Sequence, residues 1–136
     1  MSVWADLDVE NKILETLSDV HLVNDYHHFG RPYMTAYQLA IKLDARYPEV
    51  KAALNVTVGG AGTGERASLA QYLARELSGR IKRDPHHPVE GAFVSNEAVR
   101  ELVYEGAGGQ LVTSSLTGSG FDLSLYRIRA EADSRQ

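Results

Sequence analysis

Cysteine is absent from this chain of 136 residues, which removes disulfides, thiolate nucleophiles and cysteine-based zinc sites together. That suits a reducing compartment. Long apolar runs are missing too: no stretch approaches the roughly 18 residues of a membrane-spanning helix, so no membrane partner is expected. The first residues carry Asp6, Asp8 and Glu10 instead of the basic segment and apolar run of a secretory start. A cytoplasmic location is the expectation. No Ser-His-Asp order and no GxSxG elbow can be identified, so the reading favours a protein that is not an enzyme and needs no cofactor. Proline is scarce, with 4 residues, while hydrophobic residues make up 43% of the chain, enough to bury a core. One domain over residues 1–129 is expected, followed by a disordered tail, 130–136, that has no apolar pattern.

The formal net charge of −4 argues against a generic polyanion binder, because non-specific nucleic-acid affinity comes from net basic surface. The charges are unevenly placed, however. Residues 1–30 set six acids against the single Lys12, whereas residues 66–83, RASLAQYLARELSGRIKR, set five bases against Glu76. An asymmetric field of that kind can orient a polyanion on one side of the molecule. The basic stretch also has helical periodicity. Leu69, Ala70, Leu73, Ala74, Leu77 and Ile81 form one apolar stripe, and Ser68, Gln71, Arg75, Ser78 and Lys82 line the opposite side. A Gln and an Arg on one exposed strip can reach base edges, and Lys or Arg near the helix ends can meet phosphates. The nucleic-acid-binding candidates are therefore Thr63, Arg66, Ser68, Gln71, Arg75, Lys82 and Arg83. A merely solvated surface helix would show the same pattern.

Around this segment the spacing predicts an α+β fold, mainly helical, with four to five helices and a C-terminal β-hairpin. Val9, Ile13, Leu17 and Val20 repeat at helical spacing over 8–20, with Asp6 or Asp8 as cap. Thr35 and Gln38 form a capping box ahead of Ala36, Leu39, Ala40 and Leu43. Pro48 ends that helix and can open a further helical turn. After the breaker PHHP, Gly91 to Val94 reads as a short strand, and Ser95 as the cap of a helix over 95–104 that buries Ala98, Leu102 and Val103. Residues 110–116 and 121–128 then flank Thr117-Gly118-Ser119-Gly120 as the two arms of a hairpin.

A helix, a capped second helix, a basic amphipathic helix and a terminal hairpin together resemble the winged-helix domain, a helix-turn-helix variant whose hairpin is the wing. The resemblance is architectural, spans most of the chain and rests on no specific motif. It implies a DNA-binding transcription regulator, with Thr35 to Leu43 as second helix, 66–82 as recognition helix in the major groove, and 117–120 as wing tip. A second registration makes 95–104 the recognition helix and 66–82 its supporting neighbour. That helix would present Asn96 and Arg100 with the acids Glu97, Glu101 and Glu105, a charge that suits a protein partner better than a polyanion. Residues 44–65 stand where a compact helix-turn-helix has a turn of about 3–4 residues.

Other chemistry is narrower. Gly59 and Gly64 have Walker spacing, but Glu65 stands where the lysine belongs and would repel phosphate. His21, Asp25, His27 and His28 are weak metal candidates without the i, i+4 spacing of a zinc helix. Tyr26, Phe29, Arg31, Tyr33 and Tyr37 concentrate aromatic area in residues 26–47, a mix found at interfaces and small-molecule pockets, and one that a small core more often uses to anchor a long loop. A protein-interaction module using that surface is the alternative reading, and a homodimer is an expected assembly.

Overall fold

The computed structural model describes residues 2–20, 29–59, 68–106, 108–115 and 123–129. Within them the chain is α+β, with five helices and five strands. Ser2 caps α1 (Val3–Asp6) by accepting from the Ala5 N–H. The start of α2 (Val9–Ser18) departs from expectation: Asp8 takes left-handed backbone (φ 51°) and makes no side-chain cap, and its carboxylate accepts from the Asn11 amide instead. Val9, Ile13 and Leu17 are fully buried along one side of α2, as the 3.6-residue period requires.

After the two-residue strand β1 (Met34–Thr35), the capping box opens α3 (Ala36–Arg46). The Gln38 N–H donates to Thr35 Oγ1 at 3.1 Å, and the Thr35 N–H donates to Gln38 Oε1 at 2.8 Å, so two donors left over by helix geometry are satisfied reciprocally. Thr35→Ala is expected to lower stability by about 1 kcal/mol, read as a lower urea midpoint at unchanged slope. Pro48 occupies the first turn of α4 (Pro48–Leu54), and Asn55 closes it in left-handed backbone (φ 55°). The basic helix is α5 (Leu69–Arg83). Leu39, Leu43, Val50, Leu69, Leu73 and Leu77 are all inaccessible to solvent, in one cluster with the apolar side of α2.

The main sheet has the order β1-β5-β2, all antiparallel, with β2 at Val89–Val94 and β5 at Leu123–Ile128. His87 pins its entrance. Nδ1 accepts from the Val89 N–H at 3.0 Å, which leaves the ring proton on Nε2, 2.8 Å from Glu10 Oε1 on α2.

Two further expectations are corrected. Residues 95–104 are not a helix: Ala98 takes φ 60° and Glu101–Glu105 is strand β3. A left-handed alanine cannot sit inside a helix, and the period there is two, with Leu102 and Tyr104 half-buried between exposed Glu101, Val103 and Glu105. The hairpin partners differ as well. β4 (Leu111–Ser115) pairs with β3 across residues 106–110, while β5 is flanked by β2 and β1. The 117–120 tip lies outside the described residues, as does the 130–136 tail. The hairpin turn is closed by Gly106 N–H to Gln110 O at 2.8 Å, with Gly109 at φ 85°.

Candidate nucleic-acid interface

Residue order along α5 decides what it can offer a ligand. Its buried side, Leu69, Ala70, Leu73 and Leu77, is consumed by the core. Its N-terminal donors are consumed too. The Leu69 and Ala70 N–H groups reach Thr57 O and Val58 O at 2.8 and 3.0 Å, the Gln71 N–H donates to Ser68 Oγ at 3.1 Å, and the Tyr72 N–H to Ser68 O. Ser68 is therefore a buried cap, 2% exposed, and this corrects its place on the exposed strip. Thr63 and Arg66 lie outside the described residues.

The remaining strip is presented to solvent. Gln71, Arg75, Ser78 and Lys82 follow one another at intervals of three to four residues, all exposed, and Arg83 is exposed at the end. The Arg75 side chain retains 66% exposure although it lies 5.8 Å from the Tyr72 ring and 3.8 Å from Glu76. Arg80 is committed elsewhere. Its guanidinium sits 4.0 Å over the Trp4 ring and donates to Glu76 Oε1 at 2.7 Å, so the single acid of α5 already has a close cation and leaves Arg75 able to turn outward. Burial, followed by the nearby Glu76 charge, pushes the Tyr72 phenol up.

The helix is held in rotation by the sheet. Tyr126 donates to Ala74 O at 3.2 Å and has the Ser78 hydroxyl 2.8 Å away. Gly91, opposite Tyr126 on β2, lets the strand approach: a Cβ there would stand 3.4 Å from Leu125 O and 3.7 Å from Ile81 Cδ1. Phe93 shares that face of β2, since side chains two apart in a strand point the same way, and it is 71% exposed. Phe93 was not among the residues expected from the sequence. The alternation Val89, Gly91, Phe93 gives only the face that Phe93 shares, not its exposure.

The aromatic segment is largely turned inward. Tyr37 stacks on Tyr104 of β3 (5.7 Å between centroids, 13° between planes), Arg127 covers Tyr33 at 4.3 Å, and Arg31 is 6% exposed with Nη1 on Val20 O at 2.6 Å. Burial pushes the Tyr104 phenol up. Phe29 alone of the described candidates is widely open, at 79%. Tyr26 and the metal candidates His21, Asp25, His27 and His28 lie outside the described residues, and among the described ones no group of three His, Asp or Glu is arranged for a metal. No described helix is long and apolar enough to cross a membrane.

No protein-family model matches this chain, and neither a curated protein nor a solved structure resembles it significantly.

Proposed function

We propose that the chain is a nucleic-acid-binding regulatory protein of winged-helix type, with α5 as its recognition helix. The observation that carries this reading is the strip Gln71, Arg75, Ser78 and Lys82, exposed on a helix whose opposite side packs into the core through Leu69, Ala70, Leu73 and Leu77. From Gln71 to Lys82 the strip runs about 16 Å at 1.5 Å per residue, a length that fits along a major groove. Gln can pair bidentately with adenine and Arg with guanine. Supporting it, helices α2, α3 and α5 precede the antiparallel pair β2 and β5.

The test is fluorescence anisotropy with labelled duplex and single-stranded DNA across a salt series. Three contacts, from Arg75, Lys82 and Arg83, give a slope near −2.7, or roughly a forty-fold loss of affinity between about 50 and 200 mM salt. Arg75→Glu/Lys82→Glu is expected to abolish the binding. Duplex binding that is indifferent to salt, or that survives the double substitution, would overturn the reading. A protein partner docking at Phe29 is the second reading, favoured by that residue's exposure; it predicts no DNA binding at low salt and capture lost in Phe29→Ala.

A further inference from the structure

The β3–β4 hairpin has two unlike sides. Inward, Tyr104 stacks on Tyr37 and Val112 is buried, so the hairpin is anchored on α3. Outward it carries Glu101, Val103 and Glu105 in alternation, with Leu111 directly across from Glu105. Val103 is 52% and Leu111 69% exposed. A surface hairpin normally keeps such side chains off its open face, and the pair of carboxylates flanking them is a poor match for a nucleic-acid backbone. What it matches is a cationic surface with some apolar area.

The described residues contain that surface. On α5, Arg75, Lys82 and Arg83 are exposed, and Phe93 stands open on the sheet face that packs against the same helix. The spacings agree as well: Glu101 to Glu105 span about 13 Å along a strand, and Arg75 to Lys82 about 10 Å along a helix. We propose that this chain pairs with a second copy of itself, the acidic outer face of each β3–β4 hairpin seating on the α5 basic strip of the other. A two-fold axis makes the two contacts identical and closes the assembly at a dimer. The dimer covers the strip that a polyanion would use, so self-association and polyanion binding compete. The proposal does not depend on the nucleic-acid reading, since the hairpin and the strip attract each other whatever else the strip binds.

Sedimentation velocity on the whole chain tests it, by charge exchange. Glu101→Lys/Glu105→Lys makes hairpin and helix both basic, and Arg75→Glu/Lys82→Glu makes both acidic. Each variant alone is expected to dimerise at least about tenfold more weakly than the original chain, since like charges now face each other. Mixed one to one, they restore both contacts, and a mixed dimer within about threefold of the original affinity is expected. All four positions are exposed, and unchanged circular dichroism establishes that the folds are intact; Glu101→Gln/Glu105→Gln gives a milder weakening without adding charge. A chain that stays monomeric at high micromolar concentration and low salt, variants that dimerise as the original does, or a mixture no better than its components would each overturn the proposal.

Discussion

Leu73→Ala is expected to lower the free energy of unfolding by about 3–5 kcal/mol, the upper part of the range for buried leucines. Leu73 is fully inaccessible at the middle of the packed side of α5, with Leu69 and Leu77 one turn away on either side and Leu39 and Leu43 of α3 in the same cluster. Such a site has little means of collapsing. Its walls belong to separate helices held by their own caps, so the cavity left by three carbons stays largely open and its cost adds to the lost transfer energy. Urea unfolding gives the measurement, with an unchanged slope as the condition for reading the midpoint as stability. Leu111→Ala is the control: at 69% exposure it removes almost no buried area and is expected to shift stability by less than about 0.5 kcal/mol. A Leu73→Ala loss as small as that of Leu111→Ala would mean that α5 is not docked through this face.

Arg127→Ala is expected to cost about 2–3 kcal/mol, less than a fully buried ion pair because its side chain keeps 20% exposure. One guanidinium ties three pieces of chain together. Nε donates to Glu90 Oε2 on β2 at 2.5 Å, Nη1 donates to Arg31 O at 3.1 Å and also to Phe29 O, and the planar group lies over Tyr33. Truncation leaves Glu90 with Arg129 at 3.5 Å as its remaining cation and strips two carbonyls of a donor. Arg127→Lys separates charge from shape. A lysine keeps the attraction to Glu90 but not the fork or the flat stacking surface, so it should recover less than half of the loss. Full recovery by lysine would reduce the role of Arg127 to that of a point charge.

Where one residue spacing had only one physical reading, the elements were legible in the sequence. Thr35 and Gln38 announced α3 because a reciprocal cap needs those two side chains three apart, and the stripe Leu69, Ala70, Leu73, Ala74, Leu77 announced α5 because a strand would put neighbours such as Leu69 and Ala70 on opposite faces. Residues 95–104 failed for the opposite reason: Ala98, Leu102 and Val103 satisfy a helical period over so few residues that the competing period of two went unseen, and nothing local marked Ala98 as left-handed. Strand partners were out of reach, since residues 111–115 and 123–128 were found but pairing depends on distant register. The exposed strip of α5 was visible, apart from Ser68, whose cap role followed from its place just before the helix. Phe93 was not visible because exposure at the edge of a packed face is a property of the assembled sheet.

The strand that comes last among those described, β5, lies at the centre of its sheet, hydrogen-bonded to β2 on one side and β1 on the other. During synthesis, therefore, β1 and β2 have emerged long before either has a neighbour, and β1 waits for the chain to reach position 126. Helices can condense in that interval, since their contacts are local, whereas the sheet is a late, long-range closure. A chain truncated between residues 94 and 123 would carry its helices with two unpaired strands, the state of this protein most exposed to mispairing and to the attention of chaperones.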